Sequence, residues 1–260
     1  MTGSSTRTSR NLWFVSKAAA FAIAVAAVVG SSGASCGTAP PDGNDNVDPC
    51  DITKQNGGTT PVVLSGESEL GSQNAPVIVM EFADPQCPFC ARFANNTFNT
   101  IKANFIDTGK VRWIYRHFPL DNIHPNARTG SRACECAGLQ SQSKFFEYLG
   151  QIFSTYDNNT GKVTLLDGTS NTAIANLKQL AVNLGLDANA FNSCLDNNST
   201  ANAVESDFQS GVSLGITGTP SFFITYQANG QTVTKLVAGA ASTACFETLL
   251  NSTLREAGAQ

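Results

Sequence analysis

The chain has 260 residues, 14% of them charged, and a formal net charge of -4. That length accommodates one domain with a full hydrophobic core plus additional segments. No cluster of Lys and Arg offers the electrostatic footprint that phosphate binding needs, and 42% hydrophobic content excludes a disordered chain. Eight cysteines point to disulfides and an oxidising compartment.

The N-terminus agrees with that compartment. Arg7, Arg10 and Lys17 precede an apolar run from Ala18 to Val29, followed by small residues to Ser35. Positive, apolar and small-residue regions in that order make an export signal. The run falls short of the roughly 20 residues of a spanning helix, so residues 1–35 read as a signal peptide, with an uncleaved membrane anchor as the alternative. Cys36 follows Gly33-Ala34-Ser35, which resembles a bacterial lipobox except that Gly33 replaces the usual Leu-like residue. Cys36 is therefore a lipidation candidate or simply a linker cysteine. Residues 36–60, rich in Pro, Gly, Asn and Asp, read as a flexible linker carrying the unassigned Cys50. The folded domain is expected over 61–260.

Pro76 to Ala83 (PVIVMEFA) is a β-branched run of the buried-strand type. Asp84-Pro85-Gln86 ends it, and Pro88 suits a helix start, where its missing N–H costs little. The helix is expected to reach about Phe105, with Phe93, Thr97, Ile101 and Phe105 on one face. Val111 to His117 alternates as a second strand, completing a βαβ unit. Ala127 to Phe153 has helical apolar spacing, 157–170 reads as a loop, and helical stripes return around 174–184, 187–195 and 204–212. Ser221 to Tyr226 and Thr232 to Val237 flank Asn229-Gly230, a strong hairpin signal because both residues tolerate positive φ. Ser242 to Glu256 closes the chain as an amphipathic helix. The class is α/β.

Cys87 and Cys90 fall three apart at the start of the first helix, so they share a face. Cys87 sits where unpaired N–H groups and the helix dipole favour a thiolate, the attacking form. Cys90, one turn in, is expected to be the more buried and to act second. A structural disulfide or half of a zinc site is the competing reading. Zinc is disfavoured because Cys134 and Cys136, two apart on a helix, point roughly 200° apart. Neither a GxSxG elbow nor a phosphate-binding GxxxxGK[ST] loop is present.

The segment Glu81-Phe82-Ala83-Asp84-Pro85-Gln86-Cys87-Pro88-Phe89-Cys90 resembles the active-site strand and helix of DsbA-like thiol–disulfide oxidoreductases. Phe118-Pro119-Leu120 with His124-Pro125, and Gly218-Thr219-Pro220-Ser221-Phe222-Phe223, resemble further motifs of that family in the same order. The resemblance implies a thioredoxin-like fold with an inserted helical domain at about 121–200. It implies Cys87 as nucleophile, Cys90 as resolving thiol, and a cis Pro220 facing the sulfurs, with the Thr219 backbone pairing with substrate. Glu81 matches a buried acid that assists proton transfer at the resolving cysteine. A strand-end Glu reaching water is the other reading. Pro88 and Phe89 match the dipeptide that tunes thiolate stability; Phe89 stands where some relatives carry a cationic His. Some relatives bridge positions matching Cys136 and Cys194, which the resemblance carries over as a structural disulfide. Cys134 with Cys245 would make a second bond, tying the insertion to the closing helix; buried free thiols are the alternative. His117 and His124 read as packing residues at a strand end and ahead of a helix, with a catalytic role as the alternative.

The expected function is an exported disulfide oxidase acting on reduced or unfolded exported proteins in the periplasm or cell envelope. Its reoxidation would fall to a membrane partner resembling DsbB or a vitamin-K-epoxide-reductase-like protein. No cofactor, metal or nucleic acid is implied. The alternatives are a reductase or isomerase running the same chemistry in reverse, and a non-catalytic binding module with an inert Cys87–Cys90 bond.

Overall fold

The computed structural model describes residues 68–259. The expected signal, the linker, Cys36 and Cys50 lie outside the described residues. Among the described residues no helix is long and apolar enough to cross a membrane.

A short strand, β1 (Glu69–Leu70), precedes β2 (Val77–Ala83), the run read as a buried strand. A continuous helical run follows: α1 (Pro88–Phe93), a π-turn over Ala94–Phe98, α2 (Asn99–Ile101) and a second π-turn over Lys102–Ile106. The chain returns through β3 (Val111–His117), parallel to β2. Helices then occupy most of the chain up to the second half of the sheet: α3 (Ala127–Gly138) and α4 (Gln142–Ser154), a small hairpin of β4 (Tyr156–Asp157) and β5 (Lys162–Val163), then α5 (Ser170–Asn183), α6 (Ala188–Asp196) and α7 (Ala201–Ser213). A hairpin of β6 (Ser221–Ala228) and β7 (Gln231–Ala238) and a closing helix α8 (Thr243–Glu256) complete the fold. The sheet order is β1-β3-β2-β6-β7, with β6 antiparallel to β2.

The alternation of β2 sets the core. Val77 and Val79 face a cluster with Phe93, Ile101, Trp113, Phe222, Phe246 and Leu250, roofed by the first helical run and α8. Met80 and Phe82 face the opposite cluster, with Ile114, Phe118, Leu120 and Phe223. Fully burying a side chain of this size contributes about 1.5–3 kcal/mol relative to exposure. The helical insertion has its own core, built from Phe145, Tyr148 and Ile152 of α4 against Leu177 of α5 and Phe191 of α6. Cys136 of α3 and Cys194 of α6 are disulfide-bonded, with Cα atoms 5.8 Å apart.

The expected single helix over 127–153 is two. After Gly138 the chain turns, and the Ser141 hydroxyl accepts from the Lys144 N–H at 3.2 Å, so a serine cap restarts the helix. The expected loop over 157–170 contains the β4–β5 hairpin and a 3₁₀ turn at Thr164–Leu166. Asn229 and Gly230 form the β6–β7 turn with φ of 52° and 75°, the positive-φ pair that a two-residue hairpin demands. The pairing of Cys134 with Cys245 does not occur: Cys134 is a buried free thiol, whereas Cys245 is itself disulfide-bonded.

Candidate active site

Strand register brings the site together. Phe82 near the end of β2 pairs with Ser221 at the start of β6, so the segments beyond them, Asp84 to Cys90 and Gly218 to Pro220, meet at one end of the sheet. Cys87 is the N-cap residue, with extended backbone (φ -73°, ψ 123°), and Pro88 opens the helix. The Cys87 thiol donates to the Thr219 carbonyl at 3.5 Å, and the Thr219–Pro220 bond is cis. Thr219 is buried, and its hydroxyl has no hydrogen-bond partner.

Cys87 and Cys90 are both in the thiol form rather than bonded to each other, and both are fully buried. The contrast in exposure expected from the sequence is therefore absent. Cys87 lies against the Thr219 carbonyl on one side, while its neighbour Gln86 is tied to the helical insertion on the other. Gln86 Nε2 donates to the Leu166 carbonyl at 3.0 Å, and its Oε1 accepts from the Asn126 N–H at 2.8 Å. The Cys90 sulfur accepts from the Asp84 N–H at 3.5 Å. Burial, together with the hydrogen bond and charge of Cys87, holds the Cys90 thiol well above the usual thiol range. Phe89 is half-buried, and the Arg92 guanidinium lies 4.3 Å from its ring centre.

Glu81 faces the interior two residues after Val79 and is nearly inaccessible, so it does not reach water as a strand-end Glu would. Its carboxylate accepts from Trp113 Nε1 at 3.1 Å. Burial pushes its pKa up to about 8, opposed in part by that hydrogen bond. Glu81 pairs in register with Tyr115 of β3 and Phe222 of β6. The Tyr115 hydroxyl is buried without a hydrogen-bond partner, and burial first, then the charges of Cys134, Glu81, Cys90 and Asp84, push it well above its ordinary range.

Two residues given no site role by the sequence, Asp84 and His124, lie beside the cysteines' loop. Asp84 has no exposed surface, yet its carboxylate accepts from the N–H groups of Gln86 at 2.7 Å and Leu120 at 2.9 Å. It also contacts His124 Nδ1 at 2.7 Å. His124 therefore does more than pack ahead of a helix. The two residues stand 40 positions apart, so neither the Asp84-Pro85 nor the His124-Pro125 motif points to the other. His117, by contrast, belongs to a separate network. Its Nε2 lies 3.0 Å from Glu135, its backbone N–H donates to Asp207 at 3.0 Å, and Arg116 binds Asp207 at 2.8 Å. His117, Glu135 and Asp207 place one potential ligand atom each within 4.8 Å of the others. Arg116 already balances Asp207 there, so the group reads as a buried ion-pair network.

Residues 65–238 match the family model described as thioredoxin. The chain belongs to the thioredoxin family. Among curated relatives, the Na(+)/H(+) antiporter NhaA 1 of Mycobacterium sp. (strain KMS) is 28% identical over 156 residues, 59% of this chain but 22% of that protein. The chain thus spans about a fifth of the length of the first such relatives it matches. The probable disulfide bond formation protein D of Bacillus anthracis is 25% identical over 171 residues, 66% of this chain and 75% of that one. Among solved structures, Wolbachia pipientis alpha-DsbA1 superposes with a TM-score of 0.56 at 26% identity, covering 73% of this chain and 92% of that one. The thioredoxin-like sheet with helices inserted between β3 and β6 is the architecture this thioredoxin-family chain shares with DsbA proteins.

Proposed function

We propose that this thioredoxin-family protein is an exported thiol–disulfide oxidoreductase that oxidises cysteine pairs in proteins outside the cytoplasm, using Cys87 and Cys90. The observation that carries the reading is the Cys87 sulfur at a helix start, 3.5 Å from the carbonyl that precedes cis Pro220. That carbonyl lies beside the sulfur, where an extended client segment would pair with the Thr219 backbone as an added strand. The names of the Bacillus and Wolbachia relatives support the same chemistry.

Starting from the Cys87–Cys90 disulfide, a client thiolate attacks Cys87. The bond to Cys90 breaks, its electron pair goes to the Cys90 sulfur, and that sulfur takes up a proton. Burial favours the protonated Cys90, and Glu81, buried on β2 and protonated below about pH 8, is the acid suited to supply the proton. The client's second thiolate then attacks the client sulfur of the mixed disulfide. A disulfide forms in the client and Cys87 leaves as a thiolate. Two electrons now reside on the Cys87–Cys90 dithiol. A membrane reoxidase, of the DsbB or vitamin-K-epoxide-reductase type, must remove them before the next turnover. The export signal expected over residues 1–35 fits this location, with the domain held at the envelope by an anchor or by lipid on Cys36.

The test is oxidation of a reduced model dithiol by the purified chain, with alkylation of Cys87 located by mass spectrometry. Turnover lost on Cys87→Ser supports the reading. Failure of Cys87 to label after mild reduction, or turnover unchanged by that substitution, overturns it. A redox titration fixes the direction: a potential toward ~-120 mV marks an oxidase and one toward ~-270 mV a reductase.

A further inference from the structure

We propose that His124, held by the buried carboxylate of Asp84, is the cationic partner that stabilises the Cys87 thiolate, with Asp84 as its positioning residue. The proposal rests on the thiol–disulfide reading and names a charge device within that site. Phe89 leaves the dipeptide between the cysteines without a cation, and Arg92 on the same helix is drawn over the Phe89 ring. A cation to add to the helix start's own N–H groups therefore comes from another element, the loop leading into α3.

Asp84 sits at the end of β2, three residues before Cys87, and its backbone carbonyl accepts from the Cys87 N–H at 3.0 Å. Its carboxylate has no exposure and binds the Gln86 and Leu120 N–H groups and His124 Nδ1. Two backbone donors fix the carboxylate, and the carboxylate fixes the ring. A buried carboxylate is costly unless paired, and among the described residues His124 is the cationic group that pairs with it, at 2.7 Å. Burial works against protonation of His124. The hydrogen bond and charge of Asp84, then the charge of Cys87, outweigh it and hold its pKa above the ordinary value. Besides these two groups, Cys90 faces Cys87 directly, and Tyr115 lies within reach of the charges of Cys134, Glu81, Cys90 and Asp84. None of these is cationic.

During turnover the imidazolium acts when the client disulfide forms. The electron pair of the breaking client–Cys87 bond moves to the Cys87 sulfur, which stays ionised beside His124, and no proton need be transferred.

The two variants His124→Asn and Asp84→Asn distinguish this device from simple packing. Asp84 alone, as a negative charge, opposes a thiolate at Cys87, so removing it directly would lower the Cys87 titration midpoint. If Asp84 acts by holding a protonated His124, Asp84→Asn raises the midpoint instead. Thiolate absorbance and pH-dependent alkylation of Cys87 on the full chain should place both variants about one pH unit above wild type, which is tenfold less thiolate at pH values below the midpoint. A midpoint unchanged in His124→Asn, or lowered in Asp84→Asn, overturns the proposal. A second measurement needs no variant. The chain has two histidines, and coupling is reciprocal, so NMR titration of wild-type His124 should show its midpoint fall by a similar amount when Cys87 and Cys90 are oxidised to the disulfide. No fall overturns the proposal even if a variant misfolds. Should wild-type Cys87 fail to alkylate or to oxidise a test dithiol, the functional reading itself is lost. Should wild type react normally and the variants match it, this inference alone is lost.

Discussion

A carboxyl group placed on the inward face of β2 makes stability depend on pH in a defined window. Glu81 has the ordinary carboxylate value of 4.5 when unfolded, and burial pushes it up to about 8 in the fold. The folded state therefore holds the proton more tightly. Its contribution is fully present below pH 4.5 and is lost as pH rises to about 8, with a slope of at most about 1.4 kcal/mol per pH unit. Glu81→Gln should flatten denaturant midpoints measured across that window. A variant curve parallel to wild type would remove Glu81 as the titrating group. At the sulfurs, Cys90→Ala should leave Cys87 able to attack a disulfide but unable to resolve the adduct, so a client mixed disulfide accumulates on non-reducing gels. The cysteine pair was legible from its spacing after an apolar strand. Asp84 and His124 were not, because their pairing depends on a return of the chain after β3 that no local pattern encodes. Cis Pro220 came from the resemblance alone, since X–Pro bonds are cis in only ~5–6% of folded cases.

Elements were legible where periodicity was strong. β2, β3, the β6–β7 hairpin and α8 follow their apolar patterns, whereas β1 has two residues and makes sense only through its pairing with β3. The division into α3 and α4 was hidden because apolar spacing continues across it while the serine cap resets the backbone. The π-turns after α1 were likewise silent, since they shift hydrogen bonding without changing composition. Gly211 of α7 illustrates a packing constraint of this kind. A Cβ there would lie 2.5 Å from Phe118 Cδ2 and 3.1 Å from Phe82 Cδ1. Gly211→Ala gains about 1 kcal/mol of helix propensity but forces rings in the sheet's second core to move, at about 1–3 kcal/mol. We expect a net loss of several degrees in Tm by calorimetry; a rise would show that the rings yield freely. Opening the α3–α6 bridge with Cys136→Ala and Cys194→Ala, which frees a separation of 58 residues, should cost about 2–4 kcal/mol in denaturant unfolding.

At the scale of the molecule, redox state and folding are linked. If the fold stabilises the Cys87 thiolate, the dithiol form is the more stable, and the difference in unfolding free energy between the two forms appears as oxidising power, with about 1.4 kcal/mol for each 30 mV. Melting the reduced and oxidised chain side by side should show the reduced form unfolding at the higher temperature. The opposite order would favour reductase chemistry. The overall plan, a βαβ unit and a terminal hairpin separated by helices, was readable in chain order. Two contacts that fasten the insertion to the site, Gln86 to Leu166 and Asn126, join residues 80 and 40 positions apart.

The unpaired sulfur of Cys134 gives the insertion its own stopwatch. It is sealed among Tyr148, Phe145 and neighbouring α-helical residues, and burial first, then the charge of Glu135, holds its thiol well above the ordinary range. A modifying reagent can capture it only after those helices part. With the redox pair kept as a disulfide, the rate at which one added mass appears on residue 134 reads how often that bundle breathes, separately from the sheet beneath it.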